Sequence, residues 1–244
     1  MGPDMALKDL DNRLGKAIAE FWQTRRRQGK SQGRGTGRKD YGARRQVTGG
    51  AQLDGFTDLI TELLTEIGLP AVSVVKKHSA VLPGYYRPTK QWDLVVVNSG
   101  SLVATIEFKS QVGSFGNNFN NRVEDALGSA TDARRAYQAG VFAPSRAPWL
   151  GYLMLLEDHL ESTRTAFVNE PHFKVLPEFA NTSYAQRYEL FCERLVREQL
   201  YDATCFLMSD QDRGLKGEYL EPSAELSFEN FVRSLLGHAI SYVM

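Results

Sequence analysis

The sequence predicts an α/β fold: a mixed sheet of about five strands with helices on both faces. Two observations predict it. Apolar runs rich in Val, Ile, Leu and Thr recur at Trp92 to Val97, Leu102 to Lys109, Trp149 to Glu157 and Ala203 to Met208. Their length and their turn-forming borders suit buried strands. Between and around them, apolar residues repeat at helical spacing. With 244 residues, 42% of them hydrophobic and 24% charged, the composition is globular and fits one domain with embellishments.

Taken in order, Leu10, Leu14, Ile18, Phe21 and Trp22 mark an amphipathic helix from about Ala6 to Arg26, its stripe suited to a core or a dimer surface. A glycine-rich stretch follows. Arg25 to Arg45 holds nine Lys and Arg against one acid, Asp40, although the whole chain has a formal charge of zero. Such a segment cannot bury a core. It suits an arm that neutralises phosphates and makes binding salt-dependent; a solvated loop is the plainer alternative. The chain therefore divides into an N-terminal helix over 1–24, a basic arm or loop over 25–50 and a main domain over 51–244.

Phe56, Leu59, Ile60, Leu63, Leu64 and Ile67 mark a second helix, with Asp54 as its N-cap and Gly68 and Pro70 as its stop. Ala71 to Val75 reads as a short first strand. Then LPGYYRPTKQWD reads as a rigid, cationic and aromatic loop. A helix is expected from about Asn121 to Gln138, with Val123, Ala126, Leu127, Ala130 and Tyr137 inward. Ser162 to Asn181 is mostly loop; His172 within it reads as a packed histidine rather than a DNA contact. Ser183 to Gln199 forms a further helix, residues 209–222 a polar connection, and Ser227 caps a last helix.

Several classes drop out. No apolar run approaches the ~20 residues of a membrane span, and the N-terminus has no hydrophobic signal region. Cys192 and Cys205 imply no disulfide framework and fit a reducing cytosol. His78, His159, His172 and His238 are scattered without zinc-ligand spacing.

The chemistry gathers in QWDLVVVNSGSLVATIEFK, Gln91 to Lys109. Apolar packing does not explain Asp93, Glu107 and Lys109. Side chains alternate faces along a strand, so Glu107 and Lys109 share one face and Phe108 takes the other. A three-residue loop, Ser99 to Ser101, would set Asn98 opposite Leu102 and Asp93 opposite Glu107, with Cβ atoms about 5 Å apart. Two carboxylates that close repel unless something positive lies between them. Their hard oxygens suit magnesium, and Lys109 can orient a water and offset developing negative charge. Phosphodiester hydrolysis needs that set of groups. Of ten lysines, Lys109 alone follows an acid by two residues. The plainer alternative is a surface Glu-Lys pair at a sheet edge.

The pattern Asp-x13-Glu-x-Lys resembles the PD-(D/E)xK nuclease superfamily, with Trp-Asp here where that name has Pro-Asp. The resemblance implies that Asp93 and Glu107 hold Mg2+ and that Lys109 serves the attacking water. A first-helix acid sometimes joins such sites; Asp54 is the candidate accessory acid, with Glu62 and Glu66 behind it, and capping or surface exposure is the plainer role of each. Arg87 and Lys90 are placed to clamp phosphates or reach guanine edges, and Asn117, Asn118, Asn120, Asn121 and Arg122 crowd one loop-to-helix junction where DNA contact is expected. A tight turn and ordinary helix capping are the alternatives.

Longer segments narrow the resemblance. LPGYYRPTKQWDLVVV, EFKSQVGSFGNNFNNRVEDALGSATD, PWLGYLMLLED, EPHF, PEF and YAQRYELFCERL are similar to XhoI-type type II restriction endonucleases, over Leu53 to about Leu207. That resemblance implies a restriction-endonuclease-like core and a catalytic domain over 51–244. It implies a cytoplasmic homodimer that cuts double-stranded DNA at the palindrome CTCGAG with Mg2+. Cleavage after the first C would leave four-base 5′ overhangs, and a companion DNA methyltransferase would protect the host site.

Overall fold

The computed structural model describes residues 6–32 and 51–243. Most of the expected basic arm lies outside them. The first helix, α1 (Leu10–Gln32), runs past its expected end near Arg26 and takes Arg25, Arg26 and Arg27 onto helical backbone. Leu14, Ile18, Phe21 and Trp22 form its buried stripe.

In the second helix, α2 (Asp54–Glu66), Leu53 rather than Asp54 occupies the N-cap position. Asp54 is the first helical residue, where a carboxylate meets the positive end of the helix dipole. The expected strand at Ala71 is a 3-10 turn over Ala71–Ser73, closed by the Ser73 amide on the Pro70 carbonyl at 2.9 Å, and strand β1 (Val74–Lys76) follows.

The expected cationic loop is a small antiparallel hairpin, β2 (Val81–Pro83) with β3 (Thr89–Gln91). Next come β4 (Leu94–Asn98) and β5 (Ser101–Gln111), then α3 (Phe115–Gln138), β6 (Trp149–Glu157), the one-turn α4 (Leu160–Thr163), α5 (Tyr184–Arg197), β7 (Ala203–Ser209), the one-turn α6 (Gln211–Gly214) and α7 (Phe228–Ala239). Ser183 caps α5 in a reciprocal box with Gln186, and Ser227 accepts the Asn230 amide at the start of α7, the cap its sequence predicts. The polar connection after β7 holds the one-turn α6, capped by Asp210. His172 is exposed, not packed.

The sheet order is β1-β4-β5-β6-β7. The first three strands pair antiparallel; β5, β6 and β7 pair parallel. Strand β6 is buried along nearly its whole length, which explains its unbroken apolar sequence. One core lies between the sheet and α1, α2 and α7, and contains Trp22, Phe56, Ile106, Phe108 and Phe231. The other lies between the sheet and α3 and α5, and contains Trp92, Tyr152, Tyr188 and Phe206. Ala104, Ile106 and Phe108 serve the first core, so Glu107 and Lys109 point toward the α3 side.

The β4–β5 hairpin differs from expectation in a way that preserves its outcome. Asn98 pairs with Ser101, so the loop is Ser99-Gly100, two residues with φ of 49° and 77°. Positive φ at both positions is what a tight hairpin turn requires. That turn alone would pair Asp93 with Ile106. The register shifts once, between Val97↔Leu102 and Val96↔Ala104, where Val103 is an extra residue. Beyond it Leu94 pairs with Ile106, and the next position sets Asp93 opposite Glu107.

Candidate active site

Asp93 sits just before β4, and its Oδ2 accepts the backbone N–H of Phe108 at 2.8 Å. This bond ties the carboxylate to the strand that carries Glu107. The Glu107 side chain is 3% exposed, and both its oxygens are engaged. Lys109 donates to Oε2 at 2.6 Å, and Lys90, from β3, contacts Oε1. The Lys90 ammonium also lies 4.4 Å from the centroid of the Trp92 ring, a cation–π contact that fixes its approach.

The charges divide the two acids. Burial pushes the Asp93 carboxyl above its ordinary value, and the Glu107 charge pushes it further; Lys109 and the Phe108 amide oppose this without prevailing. Burial acts on Glu107 in the same direction, but Lys109 and Lys90 outweigh it and hold that carboxyl below its usual range. Burial alone would lower the Lys109 ammonium; Glu107 and Asp93 more than compensate, so it stays protonated at neutral pH. Lys109 is thus a cation rather than a neutral base.

Arg122 stands near this group, its Nη2 3.5 Å from the Ser110 carbonyl and its Nη1 3.7 Å from Asp125. Helix α3 starts at Phe115 instead of Asn121, because Gly113 and Ser114 turn the chain with φ of 68° and 48° and Phe115 is buried beside Tyr184 and His159. The asparagines therefore lie on the first two turns of a helix. Asn118 donates to the Ser114 carbonyl at 3.1 Å, while Asn120 and Asn121 are exposed. Leu127, expected inward, is partly exposed on the same helix.

Other candidates have partners of their own. Arg87 Nε donates to Asp132 at 2.8 Å. Glu62 and Glu66 hold Arg13 of α1. Sequence reasoning missed two residues. Asp132 lay in a helix with no motif around it. Lys90 was read as a DNA contact and sits on Glu107; the signal for that was Trp92, whose ring borders the strand that delivers the lysine.

Two carboxylates with hard oxygens, one disfavoured as an anion by burial and repulsion and the other held by two ammoniums, fit a divalent cation: positive charge between them would relieve Asp93. Among the described residues no group of three or more His, Cys, Asp and Glu gathers. An ion held by Asp93 and Glu107 would draw its other ligands from water and substrate, the usual habit of a small hard cation.

The profile of the family described as restriction endonuclease XhoI matches residues 31–221. The chain belongs to that family. It is 53% identical over 206 residues to the type II restriction enzyme BstVI of Geobacillus stearothermophilus, a match covering 82% of this chain and 92% of that one. It is 42% identical over 199 residues to the type II restriction enzyme XhoI of Xanthomonas vasicola, covering 80% and 78% respectively. Against the type II restriction enzyme AbrI of Azospirillum brasilense the identity is 41% over 172 residues, 70% of this chain and 77% of that one. No solved structure matches the chain. This member of the XhoI family is a type II site-specific deoxyribonuclease acting on double-stranded DNA, and type II restriction enzymes generally use a divalent metal. Among the described residues no helix is long and apolar enough to cross a membrane.

Proposed function

We propose that this XhoI-family enzyme hydrolyses both strands of the palindrome CTCGAG after the first C, with Mg2+, as a cytoplasmic homodimer protected from its own genome by a companion methyltransferase. The observation that carries the chemistry is the Asp93–Glu107–Lys109 set on one face of the hairpin. The site sequence rests on the likeness to the XhoI enzyme, 42% over 199 residues. Two-fold symmetry supports the dimer, since a palindrome then offers each protomer an equivalent strand.

Asp93 and Glu107 would hold the ion, which would supply Lewis acidity toward the phosphate. The Lys109 ammonium orients the attacking water and stabilises charge that develops on the phosphate. Asp54 is the candidate accessory acid of this reading. Arg87, Asn117, Asn118, Asn120, Asn121 and Arg122 are its DNA-facing candidates; Lys90, expected among them, acts instead through its hold on Glu107.

The test is a digest of unmethylated phage DNA, with Mg2+ and with EDTA, mapped by end sequencing. Discrete ends within CTCGAG that need Mg2+ are expected. A smear, or cuts at branched junctions, would overturn the specificity.

A further inference from the structure

The turn between β2 and β3 is held by one buried carboxylate. Asp132, on α3, has a side chain 3% exposed. Its Oδ1 accepts the backbone N–H groups of Tyr85 and Tyr86, each at 2.8 Å, and its Oδ2 accepts Arg87 Nε at 2.8 Å. Burial raises the Asp132 carboxyl, but the bonds from Tyr86, Arg87 and Tyr85 prevail and keep it ionised, below the ordinary range. The turn closes tightly: a Cβ on Gly84 would lie 2.6 Å from Asp132 Oδ2 and 2.8 Å from the Arg87 carbonyl oxygen, so only glycine fits. Arg135, three residues further along α3, lies 5.0 Å from the Tyr85 ring centroid, and Tyr85 packs edge-on against Tyr86.

This rigidity is spent on an exposed tip. Tyr86 is 67% exposed, and the Arg87 side chain 45%. The ion pair uses Nε of Arg87 and, among the described residues, leaves its two terminal nitrogens unengaged. The electrostatic gain of a phosphate contact depends on net charge, and pairing with Asp132 offsets much of it. A base-edge contact needs a fixed planar fork, and pairing through Nε supplies one. An arginine already held in place also loses less freedom on binding.

We propose that Gly84–Pro88 is a preorganised base-reading loop, in which Asp132 is the positioning residue that aims the Arg87 fork at the major-groove edge of a guanine. The inference rests on the reading that the enzyme cuts one defined palindrome.

The experiment is cleavage of a library of six-base-pair sites, randomised one position at a time, by the wild type, Asp132→Asn, Arg87→Lys and the double variant, with melting curves for each. In Asp132→Asn the amide oxygen still accepts the Tyr85 and Tyr86 amides, while its NH2 group opposes Arg87 Nε. The expected result is a preference reduced at least tenfold at one symmetry-related pair of G·C positions, one in each half-site, and kept at the others. Arg87→Lys loses preference at the same pair, and the double variant is no worse than either. Equal loss at every position makes Arg87 a phosphate contact and overturns the proposal, as does preference left intact. Should Asp132→Asn fail to fold, Arg87→Lys decides alone, since its side chain is half exposed. A wild type with no preferred site would overturn the proposed function as well; a preferred site that both variants respect overturns this inference only.

Discussion

The ammonium of Lys90 sits on the carboxylate of Glu107, across a chain separation of 17 residues and from a different hairpin. The contact makes Lys90 a charge partner of the acid pair. Lys90→Ala is expected to change the Mg2+ concentration that half-saturates cleavage, and to leave specific DNA affinity within about threefold, less than 1 kcal/mol. A Mg2+ titration beside a metal-free gel shift checks this. Weaker DNA binding with unaltered metal dependence would return Lys90 to a phosphate or base contact.

Lys109→Ala removes the cation that, in the proposed mechanism, faces the reacting phosphate. Loss of one preorganised charge-stabilising group costs about 100- to 1,000-fold in rate. The variant should still retain sequence-specific DNA in a gel shift. Cleavage at the wild-type rate would remove Lys109 from the mechanism.

Asp93 carries a stability cost. Its folded carboxyl lies above its unfolded value, so the ionised form disfavours folding at pH values above that elevated range, and the cost fades as pH falls through it. Asp93→Asn should therefore abolish cleavage and raise the melting temperature at neutral pH, with the amide oxygen still accepting the Phe108 N–H. At this chain length ~1 kcal/mol shifts Tm by about 2–4 °C. Glu107 behaves oppositely: its depressed carboxyl contributes stability above its unfolded value that is lost as pH falls through the folded one.

Both thiols are buried, and burial pushes Cys192 and Cys205 above the ordinary thiol range. Neither should react with a thiol reagent at pH 8 until the chain unfolds. Modification rates that follow unfolding rates, measured in increasing urea, are the expected outcome.

Helix α1 belongs to the same core as the sheet. Trp22 is 1% exposed, and its indole N–H donates to Ser209 Oγ at 3.1 Å. Trp22→Ala should cost about 3–5 kcal/mol, read by urea denaturation of the whole protein.

The fold was legible where period and burial agree. β6 and β7 are apolar because helices cover both faces of the sheet where they lie, and no other element competes for such a run. The acid pair was legible because alternation restricts a hairpin to few pairings. The β2–β3 hairpin was hidden: its strands are three residues each, largely exposed, and separated by Gly84-Tyr85-Tyr86-Arg87-Pro88, which reads as loop. The start of α3 was hidden because asparagines favour turns in isolation, while burial of Phe115 outweighs that preference. Asp132 was illegible for a different reason: its partners lie 45 to 47 residues away, and nothing local marks it.

The extra residue at Val103 bears on how relatives are recognised. Pairing of β5 with β6 begins at Ala104, beyond it. A chain lacking that one residue would form an uninterrupted ladder from the same two-residue turn, with the two acids still face to face and one fewer residue between them. The count of thirteen between Asp93 and Glu107 is thus a property of how the hairpin is laid out, and the chemistry is indifferent to it. A search that demands that interval would pass over enzymes with the same catalytic face; a search on which residues oppose one another would find them.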